Sequence, residues 1–391
     1  MHEQSGHSGG LSRREFSKAG LTALCALSVS GGLGCVPKRE TQEEPPRGVA
    51  QRGFVNPIPS PWFSQLDRAR VRCELCPKRC ELAESERAPC GVRENRGGVG
   101  YALAYGNPAL VQEDPVERKP FFHVVPGSRA LSISTAGCNL ACEFCEVWDM
   151  ALVLPEQVYA YDMPPEKVVA HAQASGVRAI SYAFGEPVVF FEFMADVAAL
   201  AREAGLLNLI HTAGYIRPEP LRMLSRRLDA ANVDLKGFDP AFYRKVVGGE
   251  LQIVLATLRL LRDAGVHIEI THLVIPTLND DMGMIRRMSR WIVSELGAGV
   301  PVHFARFYPL YRLAALPRTP VSTLDRARAT ALEAGLQYVY VAKVTGHEGG
   351  NTFCHRCGKI VIKRVGYVID EMHLVGGRCR YCGTAIPGRW S

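Results

Sequence analysis

From Ala130 to Val341 short apolar runs alternate with helical stretches, and this alternation leaves the chain few folds to choose from. Ala130–Ser134, Ala179–Ala183, Leu207–His211, Asn232–Leu235, His267–Ile275, Val302–Arg306 and Tyr338–Val341 read as strands. Pro164–Ala174, Glu192–Ala204, Pro218–Arg226, Pro240–Val246, Leu251–Ala264, Met282–Leu296 and Thr323–Ala334 read as helices. Strands that alternate with helices form a parallel sheet with helical crossovers. The pattern predicts an α/β fold of about six to seven such units, a partial or full TIM-like barrel. Barrels of this kind carry their chemistry at the C-terminal ends of the strands.

The cysteines say which chemistry to expect. Eleven of the 13 fall into three clusters, with only Cys25 and Cys35 apart. Short spacings in a 391-residue chain indicate metal sites rather than a disulfide framework. Cys138, Cys142 and Cys145 form a C-x3-C-x2-C triplet. Zinc sites use paired hooks and four ligands, whereas three thiolates leave one iron of a [4Fe–4S] cluster open to a substrate or cofactor.

Two four-cysteine sets flank the barrel. Cys73, Cys76, Cys80 and Cys90 are spaced C-x2-C-x3-C-x9-C, which suits either a tetrahedral zinc ion or an auxiliary iron–sulfur cluster. A closed structural ion is the preferred expectation there. Cys354, Cys357, Cys379 and Cys382 form two C-x2-C-G hooks, a zinc-ribbon or rubredoxin-like pattern in which zinc would be structural and iron a one-electron relay.

Polar residues at predicted strand ends are the candidate ligand contacts. Gly185 and Glu186 follow the second strand, and the His211–Tyr215 loop, with Thr212, ends the third. Asp234 and Lys236, two apart, place an anion and a cation on one face of the fourth. His272, His303 and Arg306 are candidates for substrate contact or proton transfer. Net charge is +7, but acids and bases interleave, so no basic stripe points to nucleic acid.

The N-terminus reads as a targeting segment. Ser12-Arg-Arg-Glu-Phe-Ser-Lys18 resembles a twin-arginine export signal, and the apolar stretch Ala19–Leu33 is too short for a comfortable span. Residues 1–35 are therefore expected to direct the protein to the cell envelope, exported or tethered, with retention on the cytoplasmic face as the alternative. The remaining divisions are a linker at 36–70, the first cysteine module at 71–125, the barrel at 126–345 and the second module at 346–391.

The triplet, with Phe144 before its last cysteine, resembles the signature of the radical S-adenosylmethionine (SAM) enzymes. Further elements run from Cys73 to Trp390: Asp114-Pro-Val-Glu-Arg-Lys-Pro120, Gly185-Glu186-Pro187, His303-Phe-x-Arg306-Phe and Ile386-Pro-Gly-x-Trp390. Together they resemble the radical SAM member of the AmmeMemoRadiSam group, which is similar to the glycyl-radical (pyruvate formate-lyase) activating enzymes. The resemblance implies a [4Fe–4S] cluster on the triplet, shielded by Phe144. SAM would be held there by Gly185, Glu186, Thr212, Asp234 and Lys236, and a ferredoxin or flavodoxin would supply one electron. It implies hydrogen abstraction from a small-molecule or protein substrate. The alternatives are activation of a glycyl-radical partner protein and a non-catalytic electron-transfer or metal-binding role. Phe184, Glu146-Val147 and Ala342-Lys343 depart from the group's usual residues.

Overall fold

The computed structural model describes residues 48–391; the twin-arginine-type segment, Cys25, Cys35 and the first part of the linker lie outside the described residues. The central sheet has eight strands, β1 (Leu110–Pro115), β2 (Arg129–Ser134), β3 (Ala179–Tyr182), β4 (Leu207–Thr212), β5 (Ala230–Asp234), β6 (His267–Val274), β7 (Val302–Arg306) and β8 (Val339–Ala342). They lie in sequential order, so each crossover returns the chain beside the strand it left. From β2 to β8 all pairs are parallel. Six longer helices connect or follow them: α1 (Pro165–Ala174), α2 (Phe191–Glu203), α3 (Pro218–Ser225), α4 (Leu251–Asp263), α5 (Met282–Leu296) and α6 (Val321–Glu333). Each expected strand and helix is present to within two residues, except Pro240–Val246, which is one helical turn followed by a π-helical turn at Tyr243–Val247.

The sheet ends in two edges, β1 and β8, and is therefore a partial barrel. The edge strand β1 pairs antiparallel with β2. Its sequence, Leu-Val-Gln-Glu-Asp-Pro, lacks the apolar run of the inner strands, which are buried on both faces. The β1–β2 connection floors the concave side, where Val116, Phe121, Val124 and Val125 pack on Ala130, Ala179, Leu209 and Ala230. Above that floor, the buried Glu269 carboxylate accepts from the amides of Phe122 (3.0 Å) and His123 (2.8 Å) and pairs with His303 Nε2 at 2.6 Å. The C-terminal tail seals the floor from below: Val125 N donates to Arg389 O at 2.7 Å and Arg389 N to His123 O at 2.8 Å.

Part of the stretch that reads as linker is paired, since Phe63–Gln65 runs antiparallel to Val71–Cys73. The first cysteine module is tied to α2 by Arg93, which is 1% exposed and makes two contacts of 2.5 and 2.7 Å to the buried Glu192 carboxylate. The second cysteine module is a three-stranded antiparallel sheet of Thr352–Phe353, Ile360–Val365 and Val368–Met372, with a short hairpin carrying its second hook. Among the described residues no helix is long and apolar enough to cross a membrane.

Candidate functional site

The strand ends from β3 to β8 open into one cavity of about 620 Å³. Cys138, Cys142 and Cys145 line it, on the loop after β2. That loop is anchored by backbone bonds, because the last turn of a helix leaves its carbonyls without helical partners. The carbonyls of Val247 and Val246 accept from the amides of Ala141 (3.1 Å) and Glu143 (3.0 Å). Gly248 and Gly249 let the loop sit this close, since a Cβ on Gly249 would meet Leu140 at 2.8 Å.

The three thiols are largely buried, and burial pushes them upward, Cys142 to about 11. They need cationic metal to ionise. Their sulfurs do not converge as ligands of a single ion would: among the described residues only Cys354, Cys357, Cys379 and Cys382 converge within 4.8 Å. A set of three separated, buried thiols on an open cavity fits a cluster in which each thiolate holds a different iron.

Six further expected residues face the same cavity, namely Phe144, Gly185, Glu186, Thr212, Asp234 and Lys236. Glu186 is fixed in place: its carboxylate accepts from Thr212 Oγ1 at 2.6 Å, Ala213 N at 2.8 Å and Val188 N at 3.2 Å. Burial raises its pKa against those bonds. Gly185 approaches β2 closely, and a Cβ there would lie 2.5 Å from Ser134 Oγ. Asp234 bonds His211 Nε2 and Lys236 Nζ, each at 2.9 Å, and these contacts, Lys236 above all, hold its carboxyl low despite burial. Lys236 Nζ also lies over the Phe144 ring at 5.7 Å.

Three candidates are corrected. His272 lies between two cavity-lining neighbours, Thr271 and Leu273, so strand alternation turns it to the helical side. There its Nδ1 meets Leu235 O at 2.8 Å. His303 faces inward but one layer lower, bound to Glu269, and Arg306 donates from Nε to Thr319 O at 2.8 Å. None of the three lines the cavity.

Other residues line it unannounced. Lys119, from Asp114–Pro120, pairs with Asp114 at 2.6 Å and lies 4.3 Å from the Phe184 ring; burial lowers its pKa to about 8. Phe184 holds φ +72°, a strained conformation for a bulky residue beside a ligand site. The two rim departures from the group pattern meet each other, with Lys343 Nζ 2.6 Å from Glu146 Oε1. Arg364 enters from the second cysteine module, donating to Phe122 O at 2.8 Å while its Nε has no partner among the described residues.

Glu117 forms the deep end of this wall. One oxygen accepts from Gly127 N at 2.8 Å, the other has no partner among the described residues, and burial raises the carboxyl to about 7. A carboxyl raised in the folded state binds protons that the unfolded chain releases, so stability falls as pH rises from about 4.5 to 7. Glu117→Gln is expected to flatten that slope and to be more stable than the wild type at pH 8. Urea denaturation across pH would check it; an unchanged slope would refute the assignment.

In the second cysteine module the sulfurs of Cys354 and Cys382 are 3.6 Å apart and those of Cys357 and Cys379 3.7 Å. Zinc–sulfur bonds of about 2.3 Å give tetrahedral edges of about 3.8 Å, so this set matches a single tetrahedral ion. The hooks are built alike, with Gly358 N donating to Cys354 O and Gly383 N to Cys379 O. Cys73, Cys76, Cys80 and Cys90 line a separate small cavity.

Residues 132–288 match the radical SAM superfamily. An uncharacterized protein of Methanocaldococcus jannaschii is 40% identical over 329 residues, covering 83% of this chain and 97% of its own length. The pyruvate formate-lyase-activating enzyme of Clostridium pasteurianum is 27% identical over 172 residues, 43% of this chain and 70% of that one. Among solved structures, a radical SAM methyltransferase from Sphaerobacter thermophilus aligns with TM-score 0.44 at 16% identity, over 59% of this chain and 70% of that one.

Proposed function

The chain belongs to the radical SAM superfamily and is related to the pyruvate formate-lyase-activating enzymes, and on that premise we propose that it cleaves SAM reductively and abstracts hydrogen from a substrate held in the cavity of about 620 Å³. The observation that carries this reading is the convergence of Cys138, Cys142, Cys145, Glu186, Asp234 and Lys236 on that one cavity. When bound, the cluster supplies one electron and SAM the 5′-deoxyadenosyl radical.

The chain's own residues bind, orient and exclude water. Glu186 offers a fixed negative charge for the SAM amine, because three internal donors hold its carboxylate before ligand arrives. Lys236 keeps its charge beside Asp234 and faces Cys142, which suits it to the SAM carboxylate and to the anionic sulfurs. Phe144, stacked on Phe242 at 6.3 Å and lining the cavity beside the three cysteines, would shield a cluster held there. Arg364, Gly366 and Tyr367 of the second cysteine module wall the same cavity, which favours a small or narrow substrate over a folded partner.

Protein reconstituted anaerobically with iron and sulfide is expected to form 5′-deoxyadenosine from SAM with dithionite. Cluster-loaded protein that forms none would overturn the proposal. Glu186→Gln removes a charge-assisted contact worth about 1.5–3 kcal/mol, so the KM for SAM should rise roughly 10- to 100-fold. A KM unchanged within error would remove Glu186 from the SAM site. The twin-arginine-type segment supports an envelope location, which fractionation of cells expressing the full chain would test.

A further inference from the structure

Cys73, Cys76, Cys80 and Cys90 all line one small cavity beside Arg93, Lys78 and Asn139. Their sulfurs do not converge within 4.8 Å, whereas the four of the C-terminal module do. The same chain therefore contains one quartet folded to single-ion spacing and one held wider. Wider spacing is what a polynuclear centre requires, because its thiolates end on different irons.

The surroundings of the wider quartet are those of an anionic centre. The amides of Leu75, Lys78 and Val92 lie near enough to Cys73, Cys76 and Cys90 to favour negative charge on their sulfurs. The guanidinium of Arg93 is close enough to Cys73 and Cys90 to stabilise their negative charge. Such amide and cation contacts set the properties of iron–sulfur centres.

The quartet also touches the catalytic loop directly. Gly137, the residue before Cys138, packs on Cys90, and a Cβ there would lie 2.7 Å from Cys90 O and 2.8 Å from Val92 Cγ1. Its φ of +100° is one that glycine adopts without strain. Asn139, the residue after Cys138, lines the quartet's cavity beside Cys76 and donates to Tyr215 O at 2.7 Å. Both neighbours of Cys138 thus lean on the quartet.

The geometry points to a second iron–sulfur cluster on Cys73, Cys76, Cys80 and Cys90, which passes electrons to the centre on the triplet. This replaces the closed structural ion expected from spacing alone. One electron enters the quartet from a one-electron reductant of the ferredoxin or flavodoxin class. It leaves to the triplet centre, where it is consumed in breaking one carbon–sulfur bond of SAM. The relay rests on the proposed SAM chemistry; the cluster itself does not.

The test uses the full chain with Cys138, Cys142 and Cys145 all changed to Ala, reconstituted anaerobically. It should retain acid-labile sulfide, about half the wild-type cluster iron and an EPR signal on reduction. Adding Cys76→Ser and Cys90→Ser should remove sulfide and signal, with circular dichroism and melting reporting that the chain stays folded. A triple variant with no labile sulfide, or with a zinc ion bound at the quartet, would overturn the cluster. If the wild type makes no 5′-deoxyadenosine while the triple variant keeps its sulfide, the SAM chemistry fails and the second cluster stands. For the relay, Cys76→Ser alone should lower flavodoxin-driven relative to dithionite-driven SAM cleavage about tenfold or more. An unchanged ratio would overturn the relay.

Discussion

Cys142→Ala is expected to lower 5′-deoxyadenosine formation at least about a thousandfold, to background. Cys142 is buried, and its sulfur rests 3.8 Å from Val247 O on the π-helical turn that anchors the whole loop. Alanine leaves two thiols for a centre that needs three, and no other cysteine lines the cavity among the described residues. The loop itself should persist, because the amide bonds of Ala141 and Glu143 to Val247 and Val246 do not involve the sulfur. Stability should therefore change by only about 1 kcal/mol. Chromatographic assay of 5′-deoxyadenosine, beside a thermal melt, separates loss of chemistry from loss of fold. Wild-type turnover by this variant would sink the assignment of the triplet.

Arg93→Met should be the most destabilising of the substitutions considered, by about 3–5 kcal/mol. It strands the Glu192 carboxylate, which is 8% exposed and, among the side chains of the described residues, otherwise bonded only by Ser60 Oγ at 2.5 Å. A loss of that size is a large share of the roughly 5–15 kcal/mol that holds a typical domain folded. Removing both charges, as Arg93→Met with Glu192→Leu, should recover much of it, because a buried pair costs desolvation on both sides. Urea denaturation of the two single variants and the double would give the coupling. Additive single effects would show that the pair does not act as a unit.

The α/β architecture was legible because β3 through β8 are apolar runs between helices of ordinary length. The edge strand β1 was not, because Gln112, Glu113 and Asp114 hide it and its partner lies across a connection rather than a crossover. Cavity residues on the expected strand ends were legible where position alone decides, as at Glu186 and Asp234. His272 shows the limit: being at a strand end does not say which face a residue takes, and one step of the pleat put it among the helices. Lys119 and Arg364 reach the cavity from a floor loop and from a separate module, so no local period marks them. Glu146 and Lys343 stand out in sequence as separate departures; only the fold shows that they form one ion pair.

The seal beneath the sheet has a consequence for biosynthesis. Strands that pair in sequential order can add one by one as the chain leaves the ribosome. The underside is different, since Arg389 and Pro387 bind Val125 and His123 there. Those residues follow every strand of the sheet in the chain and are made after it. The sheet can thus be complete while its base is still unsealed, and only the arrival of residues 387–389 closes it.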